Sequence, residues 1–166
     1  DWSSDVCSSD LEALRAEPLG IRTAILRFGV ILSAGGGALP RLVRPFRIGL
    51  GGRLGSGEQW MSWIVLDDTL EIIHRTICSD EWRGPINVVA PNPVQNSDFT
   101  RVLAGVLRKP AIFSVPAIAL RLALGEMADA LLLTSQRVMP ARLIAAGYPF
   151  RFPEIEPALR AMLRAS

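Results

Sequence analysis

The chain has 166 residues, 49% of them hydrophobic and 20% charged, with a formal net charge of +2. This length suits one domain, and the apolar content belongs to a core: the longest apolar run, residues 111–124, is cut by Pro116 and Arg121, short of the roughly 20 residues a membrane-spanning helix needs. All 18 basic residues except Lys109 are arginine, scattered from Arg15 to Arg164 without a run, which excludes the clustered footprint of a nucleic-acid binder.

Residues 1–11 (DWSSDVCSSDL) match one reading frame of a common sequencing-library adapter, so they are expected to be a leader foreign to the natural sequence, with the rest a C-terminal portion of a longer protein. Setting them aside removes Asp1, Asp5 and Asp10 and raises the net charge to +5. It also removes Cys7, leaving Cys78 alone; no disulfide framework is then possible, and a reducing cytoplasmic setting is expected. Residues 12–17 read as the end of a helix stopped by Pro18 and Gly20. Residues 21–27 (IRTAILR), bounded by Gly20 and Gly29, suit a buried strand whose lost neighbours would leave an apolar edge. Over residues 38–48, Leu39, Leu42, Val43 and Phe46 recur on one helical face.

Residues 49–57 (GLGGRLGSG) are too glycine-rich for anything but loop or very short strands. Residues 63–66 read as a short strand, after which Asp68 with Glu71 forms a capping-box pattern ahead of a stripe of Leu70, Ile73 and Ile77. Residues 85–90 (PINVVA) form a second strand of the parallel type. Asn96 then caps a helix carrying Phe99, Val102, Leu103, Val106 and Leu107, which Pro110 stops. Alternation of strands with amphipathic helices argues an α/β architecture with a parallel sheet. Beyond Pro116 the pattern becomes mostly helical, near residues 117–124, 140–146 and 153–164, with turns at Gly125 and Gly147. This divides the chain into 1–11, 12–115 and a small helical C-terminal lobe, 116–166.

Few residues carry obvious chemistry. His74, the one histidine, lies between Ile73 and Ile77 and reads as a core or boundary residue; Cys78 has no second thiol, so no metal site is expected. Gly55-Ser56-Gly57 lacks the spacing of a nucleophile elbow, and no glycine-rich run leads into Lys109 as a phosphate loop would require. Asp67-Asp68 at a helix start reads as capping before acid/base chemistry. Gln59, Trp60 and Trp63, behind the glycine-rich lip, combine flat apolar walls with donors, as small-molecule pockets do, although Trp63 could equally fill the core. Asn92, between Pro91 and Pro93, closes a strand end, where α/β folds place ligand contacts.

The blocks GGGALP (35–40), PFRIGLGGRLGSGEQWMSWIVLDD (45–68), GPINVVAPNPVQNSDFTRVL (84–103) and LRLALGEMADALLLTSQRVMPARLIAAGYPFRFP (120–153) closely resemble one family. It is the atypical extended short-chain dehydrogenase/reductase family, NAD-dependent epimerase/dehydratase-like, with a C-terminal domain of unknown function. The resemblance implies the C-terminal part of a doubly wound Rossmann-type sheet plus the helical lobe, NAD or NADP as cofactor, and a nucleotide-sugar-like or other carbonyl or hydroxyl substrate. Arg27, Phe28, Gly29 and Val30 match the loop by the nicotinamide end of the cofactor. Gly51, Gly52, Gly55, Gly57, Gln59 and Trp60 match the segment flanking the substrate cleft. Relatives often carry His at the position of Val65.

Neither the GxxGxxG turn nor the Tyr-x-x-x-Lys pair of the wider superfamily occurs here: Tyr148 is followed four residues on by Phe152, and Lys109 is preceded by Gly105. The resemblance therefore assigns no catalytic residue to this chain and implies that the chain alone is inactive and binds no cofactor. It leaves one rival, a non-catalytic cofactor-binding sensor or scaffold of the same fold. Small-molecule but neither nucleic-acid nor membrane partners are expected, and the oligomeric state stays open.

Overall fold

The computed structural model describes residues 10, 12, 13, 15–111, 113–115 and 135–164. Residues 1–9, the expected helix at 117–124 and the turn at Gly125 lie outside them. The chain enters through a short 3-10 turn, Glu17–Leu19, closed by Gly20 in the left-handed conformation (φ 78°). It then forms β1 (Ala24–Phe28), β2 (Val30–Ser33), β3 (Gly36–Gly37), α1 (Ala38–Arg47), β4 (Gly52–Leu54), β5 (Trp60–Met61), β6 (Trp63–Val65) and α2 (Leu66–Cys78). β7 (Gly84–Val88), β8 (Val94–Gln95), α3 (Asn96–Leu107), β9 (Phe113–Val115), α4 (Ala141–Ala145) and α5 (Ile155–Arg164) complete it.

β1 and β2 are one run of chain bent at Gly29. Before the bend, β1 pairs in parallel with β7 from Ala24 opposite Gly84 to Phe28 opposite Val88; after it, β2 pairs in parallel with β6, Val30 opposite Trp63 to Leu32 opposite Val65. The handover is made by backbone: Gly29 N donates to Val88 O (3.4 Å), and Val30 N donates to Ser62 O (2.8 Å). Only glycine fits the bend, because a Cβ there would lie 2.5 Å from the Ser62 carbonyl oxygen and 2.8 Å from Val89 Cγ1.

Strand side chains alternate between faces, so each strand serves two cores. Trp63 and Val65 of β6 join Leu32, Leu39, Phe46 and Leu103 in one cluster, while Ile64 between them joins Ile72, Ile86, Val88 and Leu143 in the other. Helices α1, α3 and α5 cover the first face; α2 and α4 cover the second. This is the layered α/β arrangement expected of a doubly wound sheet, and the mostly helical C-terminal part contributes a helix to each layer.

The stripe expected on α1 is seen: Leu39, Val43 and Phe46 are buried and Leu42 packs beside them. Two helix starts differ from the sequence reading. α2 begins at Leu66 with no side-chain cap, and its buried face is Asp68, Thr69, Ile72 and Thr76; Leu70 and Ile77 stand 55% and 70% exposed. The expected Asp68–Glu71 box is absent because Asp68 turns inward to other donors and Glu71 pairs with Arg75 (2.8 Å). α3 likewise lacks a side-chain cap; Asn96 Oδ1 instead accepts from Leu54 N (2.9 Å), stitching the glycine-rich segment to the helix. α3 ends in a left-handed Arg108 (φ 52°), ahead of Pro110. β1 has no strand on its other edge among the described residues.

Replacing Gly29 by Ala forces Ser62 or Val89 to move in a packed interior. We expect a loss of about 1–3 kcal/mol, the usual range for overpacking, visible as a lower urea midpoint; an unchanged midpoint would show that the bend has slack.

Candidate functional site

Parting of β1–β2 from β7 opens a crevice beside the carboxyl end of β1, the position at which open α/β sheets bind ligands. A cavity of about 350 Å³ lies there. The bend supplies Phe28, Gly29, Val30 and Ile31, and α1 supplies Ala38 and Leu42. Opposite them stand Gln59, Trp60 and Met61, with Asn96 and Phe99 of α3 behind. Leu54, Ser62 and Gln136 complete the lining.

Ser135–Val138 reaches this wall from the far end of the sequence and is fastened to Trp60 of β5 and to Ser62, which links β5 to β6. Gln136 N donates to Trp60 O (3.0 Å), and Ser135 Oγ accepts from Trp60 N (3.1 Å). The buried Ser62 hydroxyl donates to Gln136 O (2.9 Å) and accepts from Val138 N (2.8 Å). Arg137 lays its guanidinium over the Trp60 ring, 4.5 Å from the centroid, a cation–π contact that stiffens the wall. Gln59 Nε2 donates to Leu54 O (3.0 Å).

Of the residues singled out from sequence, Phe28, Gly29, Val30, Gln59 and Trp60 meet at this cavity. The others lie elsewhere. Arg27 is held by Asp10, with Nη2–Oδ2 at 2.5 Å and both side chains largely buried. Gly51 is packed so closely on Phe46 that a Cβ would meet the ring at 2.2 Å, while Gly57 lies against Arg53 and Ser97. Gly52 is buried in β4, and Gly55 turns the chain with φ 55°. Trp63 is fully buried, its indole N–H donating to Asn92 O (2.9 Å), and Asn92 in turn donates to Glu154 Oε1 (2.7 Å), tying the strand end to the turn ahead of α5. His74 is exposed on α2, its Nε2 3.5 Å from Cys78 Sγ, rather than in the core. No cluster of three metal-ligating side chains exists among the described residues. Ser62 and Gln136 were not singled out from sequence, and Asn96 was read only as a helix cap; the TSQRV block lay within the resemblance, but nothing local ties it to residues 60–62.

The carboxylates Asp67 and Asp68 do structural work together with Tyr148. Asp68 accepts from Arg151 N (3.1 Å) and the Tyr148 hydroxyl (3.2 Å), while Asp67 pairs with the Arg151 guanidinium (2.5 Å). Burial, followed by the neighbouring Asp68 carboxylate, pushes the Tyr148 hydroxyl well above its ordinary value. That is the opposite of what a proton-transferring tyrosine requires. Arg75 stacks on the same ring, 5.0 Å from its centroid.

Parallel strands joined through helices on both faces, with a ligand-sized crevice at the strand ends, define a Rossmann-type α/β protein. Comparison with known proteins narrows this. Residues 115–162 match the domain of unknown function DUF1731. The chain is 38% identical over 165 residues to the chloroplastic SDR39U1 homolog of Arabidopsis thaliana, an epimerase family protein, covering 99% of this chain and 47% of the relative. It superposes on human epimerase family protein SDR39U1, solved with NADPH, with a TM-score of 0.82 and 34% identity over 87% of this chain and 49% of that one. A nucleoside-diphosphate sugar epimerase structure from Corynebacterium glutamicum gives a TM-score of 0.71 and 38% identity over 89% of this chain and 27% of that one. The chain is thus similar over nearly its whole length to epimerase family proteins, and the matches are consistent with an atypical extended short-chain dehydrogenase/reductase carrying a C-terminal DUF1731 domain. It spans about half the length of the curated relatives it matches. No helix among the described residues is long and apolar enough to cross a membrane.

Desolvation raises the Asp68 carboxyl above the ordinary value of 3.8, against the lowering effect of its bonds to Arg151 and Tyr148. The folded chain therefore keeps this proton to higher pH than the unfolded chain; the resulting stability is full below pH 3.8 and is lost as pH rises through the folded-state value. Asp68→Asn abolishes that titration. The urea-midpoint difference between wild type and variant should shift in favour of the variant as pH climbs from about 3 to 7, and a pH-independent difference would contradict this.

Proposed function

We propose that this chain forms the substrate side and outer strands of an NAD(P)-dependent oxidoreductase or epimerase that acts on a carbonyl or hydroxyl group of a small molecule in the cytoplasm. The observation that carries the reading is the cavity at the carboxyl end of β1, walled by Phe28, Gly29 and Val30 on one side and by Gln59 and Trp60 on the other. Its support from relatives is the NADPH held by the human SDR39U1 structure.

The residues present fit the nicotinamide end of such a cofactor. Phe28 is 47% exposed where β1 ends, and Gly29 adds no side chain, so the bend offers a flat apolar face against which a ring can lie. When bound, a nicotinamide supplies hydride transfer. The chain's own residues exclude water with Phe28, Leu42 and Phe99 and present Trp60 as a flat wall, while Gln59 and Asn96, both bonded to Leu54, hold the glycine-rich lip in place. The proton-transferring tyrosine and lysine, and the turn that holds the pyrophosphate, are assigned to a preceding segment, because Tyr148 is committed to Asp68.

Titrating NADPH into the chain alone should give no binding in the micromolar range by nicotinamide fluorescence. Joining the N-terminal part of the Arabidopsis relative ahead of Glu12 should restore binding and shift the fluorescence. Tight NADPH binding by the chain alone, or none by the chimera when it folds by circular dichroism, would overturn this reading.

A further inference from the structure

The cavity's chemistry narrows the substrate. Its lining among the described residues is apolar except for Gln59, Ser62, Asn96 and Gln136, none of which carries a charge. Three of these four are already engaged: Ser62 fastens the Ser135–Val138 segment, Asn96 Oδ1 accepts from Leu54 N, and Gln59 Nε2 donates to Leu54 O. Gln136 differs. Its backbone is gripped from both sides, by Trp60 O on its N–H and by Ser62 Oγ on its carbonyl, whereas its side-chain amide lines the cavity with no hydrogen-bond partner among the described residues. The fixed backbone holds this exposed amide at the cavity wall, where a ligand oxygen can take it up in place of water.

We infer that this cavity takes an uncharged, mainly apolar carbonyl or hydroxyl compound, that its oxygen is read by the Gln136 amide, and that Ser62 is the residue positioning Gln136. The inference rests on the proposed reading of the cavity as the substrate cleft and departs from the nucleotide-sugar class. Among the described lining residues a diphosphate meets no cationic side chain, so it would give up hydration with less compensation than an uncharged oxygen. Arg137, the neighbour of Gln136, is turned onto the Trp60 ring. The DUF1731 region thereby contributes a specificity-determining residue, Gln136, rather than only helical packing.

The test uses the full chain, with α-tetralone as the uncharged probe and UDP-glucose as the charged one, followed by nitrogen-15 NMR of the Trp60 indole and the Gln136 side-chain amide. α-Tetralone should shift both signals and UDP-glucose at equal concentration neither. Gln136→Leu, which keeps bulk on an exposed site but removes the amide, should weaken α-tetralone binding about 3- to 10-fold, one neutral hydrogen bond's worth. Ser62→Ala should broaden the Gln136 amide signal and weaken the probe as well. Shifts from UDP-glucose exceeding those from α-tetralone, no shift with α-tetralone, or unchanged affinity in Gln136→Leu would each overturn the inference. NADPH binding by the chimera is read separately, so a cavity that prefers UDP-glucose sinks this inference alone, and a chimera blind to NADPH sinks the proposed function alone.

Discussion

The close approach of two backbones at Gly29 is the constraint on which the remaining architecture turns. With no side chain there, the Ser62 carbonyl can come near enough to take the Val30 N–H, and one strand can leave β7 and continue beside β6. Both cores follow from that transfer, because β2 and β6 then present alternate side chains to the two helical layers. The crevice follows as well, since the sheet opens where the strand changes partner.

Ser62 joins that constraint to the C-terminal region. Its carbonyl serves the bend and its hydroxyl serves Gln136 and Val138, so one buried residue fixes both the floor and the far wall of the cavity. A second tie, from Asp67 and Asp68 to Tyr148 and Arg151, anchors the following turn at the start of α2. The two ties hold residues 135–151 against the two ends of β6, at Ser62 and at Asp67–Asp68. A region identified only as a domain of unknown function thus forms part of the cavity wall.

Much of the fold could be read from residue patterns. The β-branched run before Gly29, the PINVV strand and the stripes of α1 and α3 depend on local periodicity, and the structure places elements at each of them. What failed was local chemistry overridden by distant partners. Asp68 and Asn96 have the identity and position of helix caps, yet each is claimed by a group far away in sequence, Arg151 and Leu54 respectively. The shift of the buried face of α2 from Leu70 and Ile77 to Thr69, Ile72 and Thr76 has the same cause, since an inward Asp68 fixes the helix rotation. The site was legible in part: a bend glycine and an aromatic beside a glycine-rich lip suggested a cleft, but the glycines themselves serve turns and packing. Gln136 carries no local signal at all, because its role comes from a hydrogen bond to a residue 74 positions earlier.

Fastening the cavity through Ser62 has a kinetic consequence. Its walls come from the β1–β2 bend, β5, the start of α3 and the Ser135–Val138 segment, so closing it requires loops of tens of residues to form before any of their contacts contribute. Such high-contact-order assembly is slow relative to helix formation. The pocket is therefore expected to close after the helices have formed, and its amides to report arrival at the native state rather than progress towards it.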